Sequence, residues 1–186
     1  MTPAEADGVL FDGTTHCTEQ VPLVWVGGDA VAAEVQERDT ALLRLLGQLE
    51  EPCHEPREDK TPRDPELVRM AAKVDMLLHL VGTLVALHRP PPPLANVQLS
   101  CRGLVWRGAP PLTLGATGRV SLLLHPAVPL SLELGASVIA VDEVVVPGRL
   151  WLKFEPLTEA LTTELERYTF RRHRRAVADL RQARAA

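Results

Sequence analysis

The 186-residue sequence has few aromatic residues and few cysteines. Aromatic residues make up 4% of the chain although apolar residues make up 46%, so Leu and Val must fill most of any core. The three cysteines, Cys17, Cys53 and Cys101, are too few and too scattered for a disulfide framework. No CxxC or HxxxH spacing accompanies them, and we therefore expect no metal site.

Long apolar runs and an early basic segment are also missing. The longest apolar helical region, 74–87, contains Asp75 and His79 and is too short to span a bilayer. No Arg or Lys precedes Arg38, so the positively charged start of a signal peptide is lacking. We expect a soluble, cytoplasmic protein that does not insert into membranes.

Positive charge is scarce in most of the chain and concentrated at its end. Residues 167–186 hold seven arginines and one acid, a net charge of +6, whereas residues 1–166 hold 13 basic and 23 acidic residues, a net charge of −10. The acidic body argues against a general nucleic-acid-binding protein. The Arg-rich end keeps nucleic-acid binding as one alternative function.

Sequence signatures of common catalytic sites are absent. The chain has no Gly-x-Ser-x-Gly, no His-Glu-x-x-His and no Gly-rich loop followed by Lys-Ser/Thr, and its six histidines are scattered. We therefore predict that the protein is not an enzyme and requires no cofactor.

Two helices with heptad spacing are predicted in the first half of the chain. Residues 29–50 and 65–88 repeat apolar side chains at steps of four and three, and the Pro-rich connector 51–64 joins them into a helical hairpin insertion, 29–88. The second helix carries two adjoining apolar seams, a face wider than one partner helix covers. We predict a homo-oligomer, with a tetramer favoured, whereas packing of both seams on the chain's own β-domain is the alternative. The predicted interface residues are Val31, Val35, Leu42, Leu45, Leu49, Leu67, Ala71, Val74, Leu78, Val81 and Val85.

After the prolines at 90–93 the hydrophobic period changes from 3.6 to 2. Residues 94–155 contain strand patterns separated by Gly and Pro turns, as in a small barrel, and residues 21–26 read as a further strand. A C-terminal helix, 156–178, follows. Its inner face is predicted to carry Leu157, Leu161, Leu165, Tyr168 and Phe170.

The order of three short motifs resembles the PilZ domain. These motifs are the Ser-x-x-Gly of Ser100 to Gly103, the strand end 150–154 (LWLKF) and the helix end 168–172 (YTFRR). The heptad helices before the Ser strand are similar to those of the atypical, tetramer-forming PilZ subgroup. The resemblance covers roughly residues 20–175 and implies an α+β fold. In that fold, a six-stranded antiparallel β-barrel carries the C-terminal helix and the two-helix insertion, all within a single domain, 1–186.

The resemblance also implies where a nucleotide would bind. PilZ domains are bacterial cyclic di-GMP receptors, whose signature is an Arg-x-x-x-Arg loop and an Asp/Asn-x-Ser-x-x-Gly strand end. The second part aligns with Gln98, Ser100 and Gly103, so a neutral Gln replaces the acid. The first part is missing, because residues 1–37 contain no Arg. Paired guanidinium groups suit a ligand with two phosphates and two guanines, and we therefore predict that this motif is degenerate.

These observations predict a non-catalytic, oligomeric adaptor in bacterial cyclic di-GMP signalling that acts by protein–protein contact. By the resemblance, its partner is a protein of motility or virulence signalling. The main alternative is a cyclic di-GMP receptor with a non-standard site. In that alternative, phosphate contacts come from Arg102, Arg107, Arg171 and Arg172 across an oligomer interface.

Overall fold

A computed structural model of the chain folds into a closed β-barrel with helices at its surface. The structure describes residues 1–28, 31–50, 65–88, 90–126, 128–142 and 148–185. Within these residues its elements are, in chain order, α1 (Pro3–Phe11), β1 (His16–Gly27), α2 (Ala33–Glu50), α3 (Pro65–His88), β2 (Leu94–Ser100), β3 (Gly103–Arg107), β4 (Thr117–Leu122), β5 (Leu132–Asp142), β6 (Arg149–Phe154) and α4 (Glu159–Ala185).

The barrel has the strand order β1-β2-β3-β6-β5-β4, and every neighbouring pair is antiparallel. The long strand β1 closes it, because residues 16–22 pair with β2 and residues 23–27 pair with β4. Closure gives each of the six described strands two neighbours, so none of them is an edge strand. The predicted six-stranded antiparallel barrel with a C-terminal helix is thus confirmed.

One hydrophobic core joins the barrel interior to the buried faces of two helices. Strand residues that alternate along the chain, such as Val97 and Leu99 of β2, point inward and are almost fully buried. Helix α4 adds three side chains that are also fully buried, Leu161, Leu165 and Tyr168. Phe170, predicted on the same inner face, is instead 51% exposed, because it lies two residues after Tyr168, about 200° around the helix, and so faces away from the barrel.

Helix α2 packs mainly against α4 and β5, not against α3 as the predicted hairpin requires. The side chain of Asp39 is fully buried and accepts the main-chain N–H of Glu133 on β5 at 2.8 Å. Burial raises the pKa of Asp39, while the guanidinium of Arg38, 2.7 Å away, opposes that rise. Leu42, predicted as an oligomer contact, is only 4% exposed and belongs to the protomer's own core. That assignment was wrong because a heptad seam can pack either on the chain's own core or on another subunit.

The N-terminal helix α1 lies before the first element that the sequence pattern predicts. Its first turn is a capping box, in which the Thr2 hydroxyl accepts the Glu5 N–H and the Glu5 carboxylate accepts the Thr2 N–H. Pro3 occupies the first helical position, where its missing N–H costs nothing. The stretch Thr2-Pro3-Ala4-Glu5 is therefore the signal that could have revealed this helix.

Several boundaries differ from those predicted. β1 begins at His16 rather than residue 21, and α4 continues to Ala185 rather than residue 178. The connector 51–64, the predicted helix start at 29–30 and the loop 143–147 lie outside the described residues. None of the helices described is long and apolar enough to cross a lipid bilayer.

Candidate functional site

The Ser100 hydroxyl, the best-preserved group of the nucleotide motif, is fully buried at the end of β2. It lies 2.8 Å from the carbonyl oxygen of Leu10 and 3.2 Å from that of Gly103, and its single proton can be donated to either. It also accepts the main-chain N–H of Arg102 at 3.1 Å. The hydroxyl therefore connects the β2–β3 turn to the end of α1 and is not available at the surface.

Helix α1 covers the barrel face that carries this motif. Ala6 and Leu10 are fully buried and form a small second core with Val105, Ala140 and Trp151 on the outside of the barrel. The Trp151 indole N–H donates to the Asp7 carboxylate at 2.7 Å. The helix is thus held by apolar packing and by a partly buried hydrogen bond, and it occupies the surface next to Ser100.

Gly103 is required by the fold of this region. A Cβ atom at this position would collide with the carbonyl oxygen of Leu152 on β6 and would lie 2.6 Å from the Leu10 Cδ2 of α1. Glycine therefore permits the close approach of β3, β6 and α1. The Gly of the motif is explained by packing alone.

The other motif residues do not converge on a ligand site. Gln98 is half-buried on β2, between Thr18 and Val105 of the neighbouring strands. Arg107 lies at the far end of β3, about 13 Å along the strand from Gly103. The Arg102 guanidinium donates to the carbonyl oxygen of Asp12 at 3.0 Å, so it contributes to holding the end of α1.

Arg172, predicted as a phosphate contact, instead fixes α4 to the barrel. Its Nε lies 3.2 Å from the Glu19 carboxylate of β1 and donates to the Tyr168 hydroxyl at 3.1 Å. The guanidinium of the adjacent Arg171 lies against Gly47 of α2, where a Cβ would approach Nη2 to 3.2 Å. The two arginines therefore lie at the contacts of α4 with β1 and α2.

A polar network lies beneath α4 at this point. The Tyr168 hydroxyl donates to the Glu19 carboxylate at 3.0 Å, and the Cys17 thiol lies 3.4 Å from the same group. Burial, reinforced by the nearby negative charge of Glu19, raises the pKa of both Tyr168 and Cys17. Both groups therefore stay protonated in the folded protein well above the pH at which they ionise in an unfolded chain.

This network predicts a loss of stability in alkali. The ordinary pKa is 10 for Tyr168 and 9 for Cys17, and both are raised on folding. The stabilisation is therefore fully present below about pH 9 and is lost as the pH rises, because only the unfolded chain releases these protons. We expect the denaturant midpoint to fall steadily from pH 9 to pH 11, and more weakly in Tyr168→Phe.

The chain offers an internal probe for that experiment. Tyr168 is its single tyrosine, so the ultraviolet absorbance of tyrosinate reports this side chain alone. Tyrosinate absorbance should appear together with the loss of native circular dichroism. Tyrosinate formed at its ordinary pKa in a protein that retains native circular dichroism would contradict the network.

Half of the exposed large hydrophobic side chains of the described residues lie on helix α3. Its predicted seam residues Leu67, Val74 and Val81 are 64%, 49% and 50% exposed, and Leu77 and Leu84 of the second seam are 61% and 57% exposed. Such a helix leaves on the order of ten apolar side chains in water, which isolated globular domains rarely do. The first seam also includes Ala71 and Val85, which are both exposed. The side chain of Leu78, the remaining member of this seam, is not among those that the structure describes.

Helix α2 contributes less to this surface than predicted. Leu45 and Leu49 are 42% and 43% exposed, next to the buried Leu42. Val31 and Val35 are half-buried, and Val31 precedes the helix, which begins at Ala33. The exposed apolar face of the protomer is therefore α3 with the last turns of α2.

Among the described residues, no three His, Cys, Asp or Glu side chains come close enough together to hold a metal ion. The two cysteines that the structure describes, Cys17 and Cys101, are both buried free thiols.

Comparisons with known proteins agree with this architecture. The family described as atypical PilZ domain, cyclic di-GMP receptor, matches residues 43–182. A crystal structure of a pathogenic protein from Xanthomonas campestris, a tetrameric PilZ domain self-assembled through a helical bundle, is 34% identical. The alignment covers 94% of this chain and 97% of that one, with a TM-score of 0.79.

A second structure, YcgR from Escherichia coli in complex with c-di-GMP, is 17% identical and covers 48% of this chain and 39% of its own, with a TM-score of 0.41. Among curated proteins, none matches the sequence. The family match spans well over half of the residues, and the 34% identity extends over nearly the whole chain. The protein is therefore a member of the atypical PilZ domain family.

Proposed function

We propose that this protein is a non-catalytic, oligomeric adaptor of cyclic di-GMP signalling that works by binding other proteins in the cytoplasm. It belongs to a family of cyclic di-GMP receptors, yet it does not bind the nucleotide through the family's usual motif. One observation carries this proposal, the use of Ser100 to hold helix α1.

The chemistry at the motif supports a binding surface that is already filled. The Ser100 hydroxyl and the Arg102 guanidinium bind carbonyl oxygens of the α1 end, and Gly103 is needed for packing. A dinucleotide would have to displace α1 and then find charge partners. No Arg precedes residue 38 to supply the two guanidinium groups of the usual Arg-x-x-x-Arg loop.

Self-association through α3 is the second part of the proposal. The helix exposes both apolar seams in the protomer, and burial of each Val or Leu against a neighbour contributes about 1.5–3 kcal/mol before ordering costs. The 34%-identical neighbour is a tetramer held by a helical bundle. A tetramer built on α3 follows as the proposed state of this chain, with Leu45 and Leu49 at its margin.

Calorimetric titration with cyclic di-GMP tests the nucleotide part. We expect no saturable heat at cyclic di-GMP concentrations up to ~100 µM. A Kd of ~100 µM corresponds to a binding free energy of about −5.5 kcal/mol, and any binding should be weaker than this. A PilZ receptor that carries both motif parts, titrated in parallel, serves as the positive control.

The same titration distinguishes the competing function. Saturable binding at micromolar concentration, lost in Arg102→Ala or Arg171→Ala, would establish a receptor with a non-standard site and overturn the proposal. A matched variant, Arg69→Ala on α3, controls for the loss of one exposed positive charge.

A further inference from the structure

The distal part of α4, from His173 onward, carries almost no buried side chain. The last fully buried side chains of this helix are Tyr168 and Thr169. From His173 to Ala183 every side chain is exposed except Val177, which is half-buried. The 13 residues from His173 to the end of α4 at Ala185 span about 20 Å. This segment is not part of the self-association surface proposed for α3.

A single stripe on this segment combines apolar and cationic groups. Phe170, Arg174, Val177 and Arg181 follow one another at steps of four, three and four residues, so they lie within about 60° of each other around the helix. The Arg174 guanidinium carbon lies 5.9 Å from the centre of the Phe170 ring, which aligns the two side chains along the helix. We call these four residues the α4 stripe.

Exposure and composition both favour recognition by this stripe. Phe170 is 51% exposed, and Leu180 beside the stripe is 61% exposed. The segment is rich in Ala and Arg, both good helix formers, and it continues a helix that the barrel already nucleates. A preformed helix presents its side chains to a partner without a large ordering cost.

We infer that the α4 stripe is the docking surface for an acidic, amphipathic segment of another protein. Carboxylates of that segment would accept hydrogen bonds from the guanidinium groups of Arg174 and Arg181. Its apolar side chains would cover Phe170 and Val177. This inference rests on the proposed adaptor function and names the chemistry of its protein partner.

The charge distribution favours a protein over a nucleic acid as the occupant. Residues 167–186 carry +6 beside a body of −10, and a long polyanion would be repelled by that body wherever it left the helix. Phosphate backbones also provide nothing to cover Phe170 and Leu180, whereas a short protein segment can match both the charges and the apolar groups.

A defined peptide tests the inference on the full-length protein. The probe is a labelled 18-residue helical peptide with Glu and Leu alternating along one face, followed by fluorescence anisotropy, and the comparison peptide has Gln in place of each Glu. We expect saturable binding of the Glu peptide only. Charge reversal in Arg174→Glu with Arg181→Glu should weaken binding at least about tenfold.

Two further variants separate the stripe from bulk charge. Phe170→Ser should weaken binding about fivefold with little change in salt dependence, because it removes an apolar contact. The control pair Arg107→Glu with Lys153→Glu changes the net charge equally at exposed barrel positions and should leave the affinity unchanged. Equal losses in the control pair, or equal binding of the Gln peptide, would overturn the inference.

Rival occupants are tested with the same protein. Tighter binding of a DNA duplex or of anionic vesicles than of the Glu peptide, lost in the same arginine variants, would overturn it in favour of a polyanion or a membrane. Dissociation of the oligomer on removal of residues 173–186 would show that the stripe binds a second copy. If the Glu peptide fails to bind while the oligomer remains intact and no nucleotide binds, only this inference falls and the proposed function stands.

Discussion

Val74→Glu combined with Val81→Glu is expected to convert the proposed α3 oligomer into folded monomers. Both side chains lie on the first seam of α3 and are about half exposed in the protomer, so the substitution removes nothing from the barrel core. In the assembly each glutamate would be buried in a helix–helix contact without a partner, at a cost of several kcal/mol per charge. Light scattering and sedimentation at micromolar concentration measure the change in mass.

A matched substitution on the same helix controls for helix disruption. Ala72 is exposed and lies about 140° around α3 from Leu67, away from both seams. Ala72→Glu should therefore leave the oligomer intact. A wild-type protein that is monomeric at high micromolar concentration, or equal dissociation of both variants, would refute an α3 interface.

Gly103→Ala is expected to destabilise the fold severely. The new methyl group would meet the Leu152 carbonyl oxygen and Leu10 of α1, and a backbone atom held in the β3–β6 pairing cannot move aside as a flexible side chain can. We expect a loss of about 3 kcal/mol or more in the free energy of unfolding, at or above the upper end of typical overpacking costs. Urea unfolding monitored by circular dichroism measures it.

Gly27→Ala provides the comparison for that experiment. A Cβ atom at Gly27 has no neighbour within 4 Å, so the substitution should change stability by less than about 1 kcal/mol. Equal stability of the two alanine variants would contradict the packing explanation for the Gly of the motif. It would then leave ligand binding as the reason for glycine at this position.

These two expectations concern residues for which the sequence suggested different roles. The heptad spacing of α3 predicted a contact with other helices, and the exposure of Val74 and Val81 agrees with that role. The spacing in α2 predicted the same role for Leu42, which the structure places in the core. Spacing shows that a face is buried but not which element covers it, because α4 and a second subunit present the same kind of apolar surface.

The motif around Ser100 shows a second limit of sequence interpretation. The replacement of its acid by Gln98 and the missing arginine pair already indicated a degenerate site. The occupant of that site could not be predicted, since the partners of Ser100 and Trp151 on α1 lie 90 and 144 residues away in the chain. No local pattern encodes contacts between residues so far apart.

By itself the sequence determined the order of the elements from β1 to α4, the apolar seams of the two heptad helices and the basic end of the chain. Each of these follows from the period of the apolar residues or from charge, which depend only on neighbours along the chain. The tertiary structure alone decided that α2 packs on the barrel and that α1 covers Ser100. It also decided that Arg172 binds Glu19 while Phe170, Arg174 and Arg181 of the α4 stripe remain exposed. Those outcomes depend on which surfaces meet in space, and the closure of the barrel brings them together.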